Sequence, residues 1–127
     1  MVQYISLADP ASASRWRSFT SNDELIAPSL LRAESTSTLT RLVHAGGIKE
    51  SDARLQIVGM LRLPIRIIER VSLYARAFDI ARSLGHAKAY DALYLAVAES
   101  EDAELLTLDR GMSEAAARLG IRAGIVK

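Results

Sequence analysis

With 127 residues, half of them hydrophobic and 24% charged, the chain has the size and balance of one folded domain, which excludes a disordered tail and a multidomain enzyme. Sixteen Lys and Arg against fifteen Asp and Glu leave a formal charge of +1, so binding to nucleic acid or membrane by bulk electrostatics is excluded and any such binding must be local. The absence of cysteine removes disulfides, thiolate metal sites and a cysteine nucleophile, and with no membrane-length apolar run or signal-peptide pattern the expected setting is soluble and cytoplasmic.

Asp9-Pro10 reads as a start signal for a polar-faced helix over residues 9–20, with Trp16 and Phe19 as its apolar contacts. Glu24, Leu25, Ile26 and Ala27 form a short run stopped by Pro28, a strand that leads into a helix, since proline is tolerated in a first helical turn. Leu31, Leu39, Leu42 and Val43 give that helix an inward face, and Gly46-Gly47 ends it. Ser51-Asp52 starts another helix, carrying Leu55, Val58, Met60 and Leu61, which Pro64 breaks. Residues 65–68 are rich in β-branched side chains and suit a short buried strand. A helix over residues 71–84 is capped by Gly85, and residues 90–98 are apolar on almost every side, which predicts a buried helix. A strand at residues 105–108, a helix at 113–119 ended by Gly120 and a last strand within 121–126 complete the chain.

Strands that alternate with helices predict an α/β domain with a parallel sheet covered on both faces, because parallel neighbours need a crossover connection. Ligands of such sheets gather outside the carboxyl ends of the strands. Acids placed there are the first candidates for chemistry.

Asp109 directly follows the strand at 105–108 and is either a ligand at the sheet edge or the N-cap of the next helix. Asp91 has Tyr94, Leu95 and Ala98 one helical turn away, so its carboxylate is expected to face desolvation unless a cation, a metal or hydrogen-bond donors accompany it. The plainer reading of Asp91 is stabilisation of a first turn by the helix dipole. Glu34 lies two turns into its helix beside Leu31, at the border of core and solvent, and by itself reads as an ordinary glutamate. Together, three acids near strand ends in a chain with two histidines and no cysteine suit a hard divalent ion such as Mg²⁺ or Mn²⁺.

The same residues carry a family resemblance. Pro28 to Glu34, the segment Ala-Tyr-Asp-Ala-Leu-Tyr-Leu-Ala-Val-Ala-Glu from Ala89 to Glu99, and Leu-Leu-Thr-Leu-Asp-Arg from Leu105 to Arg110 resemble the PIN-domain nucleases, most closely the VapC-type ribonuclease toxins. The resemblance spans nearly the whole chain. It implies a single PIN-like domain over residues 1–127, a three-layer sandwich with a parallel sheet flanked by helices. It further implies a metal-dependent endoribonuclease of a toxin–antitoxin pair, with Glu34, Asp91 and Asp109 as catalytic and metal-holding acids, Mg²⁺ or Mn²⁺ as cofactor, RNA as substrate, a cognate antitoxin as partner and a homodimer as assembly. Thr107 stands where a hydroxyl assists such a cluster.

One part of the family pattern has no match. Members open with a buried central strand ending in an aspartate, whereas Val2 to Leu7 resembles the stretch after that aspartate, and Asp9 is not assigned to the vacant place. The expectation is therefore a domain whose central strand and first acid are missing, through a start codon assigned too late, a natural truncation, or replacement of the strand by Val2 to Leu7. A second hypothesis follows, a noncatalytic PIN-like module that binds an antitoxin-type partner or RNA. His44 and His86 read as local capping or surface residues rather than a zinc pair, and Arg32, Arg41, Lys88 and Arg110 contact RNA phosphates, pair with the acids, or, as readily, are plain surface charges. Trp16, Phe19, Tyr74 and Phe78, at helical spacing, read as core or as an oligomer interface.

Overall fold

The computed structural model describes residues 3–7, 23–107 and 109–125. The helix expected over residues 9–20, with Trp16 and Phe19, lies outside them, as does Leu108. Among the described residues five strands, β1 (Gln3–Leu7), β2 (Asp23–Ala27), β3 (Ile65–Ile67), β4 (Glu104–Thr107) and β5 (Ala123–Ile125), pair in the order β3-β2-β1-β4-β5. Every pairing is parallel, with Ile5 level with Leu25, Leu7 with Leu106, Leu25 with Ile65 and Leu106 with Gly124. Parallel neighbours cannot be joined by a tight turn, so helices fill the connections. Helices α1 (Leu30–His44) and α2 (Glu50–Arg62) lie between β2 and β3, α3 (Val71–Leu84) and α4 (Tyr90–Ser100) between β3 and β4, and α5 (Arg110–Arg118) between β4 and β5.

This sheet corrects the expected loss of the central strand in favour of the last of the three explanations, with Gln3–Leu7 in that place. Gln3–Leu7 lies between β2 and β4 and is hydrogen-bonded on both sides. Ladder bonds come from the backbone, and a run such as Tyr4-Ile5-Ser6-Leu7 has the composition of a short strand. A parallel strand covered on both faces need not alternate, so the pattern of apolar residues along the run does not by itself place it. The first acid is a separate matter: β1 ends in Leu7, and Ala8 and Asp9 lie outside the described residues.

The core forms where α3 and α4 meet the sheet. Ile26, Leu31, Ile80, Leu95, Val97 and Leu105 are fully buried, and Ala77, Ala81, Ala92 and Ala96 let the two helices and the strands approach closely. Burying one such leucine or isoleucine contributes about 1.5–3 kcal/mol. Gly85 ends α3 in the left-handed region at φ 72°, and the His86 N–H returns to the Ala81 carbonyl at 2.9 Å, which turns the chain sharply toward α4. Helix α5 starts earlier than its apolar pattern predicts, at Arg110, because Asp109 caps it.

The first two helices differ from expectation in the face they bury. Leu31 is buried, but Leu42 points outward, as do Leu55, Val58 and Leu61 of α2, where Ala53 is the buried residue. No helix among the described residues is long and apolar enough to cross a membrane.

Candidate active site

The carboxyl ends of β1, β2 and β4 share one sheet edge, and the strand order reverses between β1 and β4, the place where open α/β sheets take ligands. Each acid predicted from the sequence follows one of these strands or begins a helix packed on them. Their surroundings differ.

Glu34 is carried by α1, which springs directly from β2. The buried Pro28 closes the strand, and its carbonyl accepts the Leu31 N–H at 3.1 Å while that of Ser29 accepts the Arg32 N–H at 3.0 Å, winding the first turn tightly. Leu31 and Ser35 face the core, so Glu34, which precedes Ser35, is left half-buried at the border. The Tyr94 O–H donates to Glu34 Oε1. The Tyr94 ring is 1% exposed, so the carboxylate is held by a side chain that has no freedom to move away.

Asp91 lies in the first turn of α4. The expectation that its carboxylate faces desolvation is corrected: Asp91 is exposed, although Tyr94, Leu95 and Ala98 are buried as their pattern predicts. Helix α4 enters the core with Ala92, one residue later. Its first turn stands outside, where the helix dipole favours a negative charge. Glu34 and Asp91 line one cavity of about 510 Å³, to which Tyr90 and the α3–α4 loop, with His86 and Lys88, also contribute.

Asp109 is the N-cap of α5, in extended backbone, and its Oδ1 accepts the Gly111 N–H at 2.7 Å. Its own N–H donates to Thr107 Oγ1 at 3.0 Å, so the fully buried Thr107 anchors the turn that presents Asp109. Asp109 does not line the cavity that Glu34 and Asp91 share. Among the described residues no three His, Asp or Glu side chains gather closely enough to hold a metal ion. The three predicted acids therefore divide, two on one cavity and one engaged as a cap.

Two contributions were missed in the sequence. Tyr94 was read as an apolar neighbour of Asp91, yet a tyrosine inside an aliphatic buried helix has a hydroxyl that needs a partner, and that need is a legible signal. His86 reaches the cavity through the turn at Gly85, which no local spacing announces, and Lys88, already a candidate phosphate contact, reaches it by the same turn. Of the other basic residues near the acids, Arg41 is turned along its own helix, donating to Ser37 Oγ at 3.3 Å and Thr38 Oγ1 at 3.2 Å.

Val71, Tyr74 and Phe78 form an exposed stripe on α3 at helical spacing, so the last two are surface rather than core. The Tyr74 O–H donates to Glu69, which also accepts from Ser29 Oγ at 2.9 Å. These bonds, Tyr74 first, hold the Glu69 carboxyl below its usual range, and the same carboxylate pushes the Tyr74 phenol up.

A PIN-domain family model matches residues 3–118. The chain is similar to VapC ribonuclease Mb0985 of Mycobacterium bovis and to Ribonuclease VapC9 of Mycobacterium tuberculosis, each 32% identical over 92 residues that cover 72% of this chain and 70% of the relative. Among solved structures, its fold is similar to that of PAE2754 from Pyrobaculum aerophilum, with a TM-score of 0.70 and 23% identity over 90% of this chain and 86% of that one. It is also similar to VapBC2 from Rickettsia felis bound to a DNA fragment from their promoter, with a TM-score of 0.70 and 11% identity over 97% and 98% of the two chains.

Proposed function

The chain belongs to the PIN-domain family, and from that premise we propose that it is an endoribonuclease cleaving RNA phosphodiester bonds with Glu34, Asp91 and Asp109, the toxin of a toxin–antitoxin pair. The observation that carries this reading is that Glu34 of α1 and Asp91 of α4, far apart in sequence, open on one cavity.

The residues present fit a hard divalent ion. Carboxylate oxygens are its preferred donors, and Mg²⁺ commonly takes one or two carboxylates while water and substrate phosphates complete its shell. Glu34 and Asp91 would hold Mg²⁺ or Mn²⁺. The chemistry such an ion would supply there is a more acidic attacking water and an offset to the charge developing on the phosphate. The remaining work belongs to the chain. Tyr94, fixed in the core, keeps the Glu34 carboxylate in one orientation through Oε1. Asp109 caps α5 with Oδ1, so ligation by this residue would fall to its second carboxylate oxygen. Thr107 acts on Asp109 through the backbone, by accepting its N–H.

In this reading RNA is the substrate and a cognate antitoxin the protein partner. Self-association into a homodimer is assigned to the stripe of Val71, Tyr74 and Phe78, whose rings and branched side chain stand in solvent. The alternative, a noncatalytic PIN-like module, is favoured by one observation: no three acids gather among the described residues. Cleavage of a mixed RNA separates the two. The wild-type chain is expected to cut with Mg²⁺ or Mn²⁺ and not with EDTA, and Asp91→Asn to lose at least ~10–100-fold, the scale on which even outer partners of metal sites matter. A folded, metal-supplied chain that leaves RNA intact would favour the noncatalytic module.

A further inference from the structure

We propose that Lys88 is a phosphate-binding residue for the RNA strand, a positioning contact on the wall of the cavity that Glu34 and Asp91 line; this rests on the ribonuclease reading above. The argument begins with charge. At +1 the chain exerts no general attraction on a polyanion, and two carboxylates at the reaction site repel one. A strand that enters such a site needs cationic contacts close to it. Four basic residues lie near the acids in sequence, namely Arg32, Arg41, Lys88 and Arg110, and of these Lys88 lines the cavity. Arg41 is directed along α1 toward Ser37 and Thr38.

The way Lys88 arrives supports the assignment. The left-handed Gly85 and the His86 N–H bond to Ala81 close α3 and set the path of the short loop that leads into α4. That loop contributes Lys88 to the cavity wall, with Asp91 following in the first turn of α4. Lys88 itself is exposed, so its ammonium keeps its water until a phosphate replaces it. A lysine acts there as a point charge on a flexible stem, suited to a backbone phosphate and indifferent to base identity.

The test is binding of a fluorescent single-stranded RNA of mixed sequence by the full chain, by anisotropy across a salt series, with EDTA and again with Ca²⁺. Each phosphate contact on a single strand contributes about 0.7 to the slope of log affinity against log salt. Lys88→Ala is expected to lower that slope by about 0.7 and weaken binding at low salt, Lys88→Arg to retain it, and Arg41→Ala to leave it unchanged. A parallel Mn²⁺ titration asks whether Lys88 serves the acids instead. Tighter Mn²⁺ binding by Lys88→Ala with an unchanged RNA slope overturns the proposal while leaving the ribonuclease reading intact. Failure of the wild-type chain to bind RNA in either medium overturns both.

Discussion

Helix α4 buries Ala92 and every residue from Tyr94 to Ala98, whereas helix α2 buries only Ala53 and shows Leu55, Val58 and Leu61 to solvent. The difference follows from their neighbours. Helix α4 packs against α3, β1 and β4, while the main neighbour of α2 is α1. Side chains locked on all sides make a rigid support, and α4 is the element that carries Asp91 and the Tyr94 hydroxyl that orients Glu34. A site that must hold carboxylates in fixed positions is best built on such an element. The outer face of α2 has no comparable constraint, and its leucines are free to serve a surface.

The sharpest way to break this contrast is a pair of leucine truncations. Leu95→Ala in α4 is expected to cost about 2–5 kcal/mol, because it leaves a cavity in a packed interior. Leu55→Ala in α2, at a side chain 70% exposed, should stay within about 0.5 kcal/mol. Urea midpoints of the two variants measure both. Similar losses would mean that α2 is covered in solution.

A smaller effect is expected at the rim, where α5 begins. Asp109→Ala removes the acceptor of the Gly111 N–H and should cost about 1 kcal/mol, whereas Asp109→Asn keeps an equally good cap and should cost almost nothing. If Asp109 also serves the reaction, the Asn variant loses RNA cleavage while its thermal midpoint stays put. Equal destabilisation by both substitutions would assign the stability to the charge rather than to the cap.

The smallest effect concerns the bond between α3 and α4. Arg76 donates to Glu99 through Nε at 2.7 Å and Nη2 at 2.8 Å, and these bonds hold the Glu99 carboxyl below its ordinary value of 4.5. A carboxyl lowered on folding adds stability above its unfolded value and loses it as pH falls through the folded one. Both partners are partly exposed, so the pair is worth about 0.2–1 kcal/mol. The stability deficit of Arg76→Ala should therefore be largest near neutral pH and shrink as acid is added below 4.5. A deficit that persists in strong acid would trace to the lost arginine stem instead.

Much of the framework was legible because the chain is punctuated. Pro28 stops β2, Pro64 separates α2 from β3, and Gly85 ends α3, each by a local steric rule that needs no partner. The continuous apolar character of α4 likewise announced its burial. Less legible were the properties set by neighbours. The outward turn of Leu42, Leu55 and Leu61 depends on how α1 and α2 lean on each other, and the central placing of Gln3–Leu7 depends on two ladders formed with distant strands. The exposure of Asp91 depends on where α4 meets the sheet, one residue beyond it.

By itself the sequence determined an α/β chain with parallel-sheet crossovers, the ends of most helices and three acids near strand ends, because dihedral preference, capping and hydrophobic period act over a few residues. Only the tertiary structure decided that Glu34 and Asp91 face one cavity with Lys88 on its wall, that Tyr94 orients one of them, and that Asp109 spends an oxygen on α5. Those are relations between elements distant in sequence. They are set by how helices pack on a sheet, and no local pattern encodes the distance between two side chains that the packing brings together.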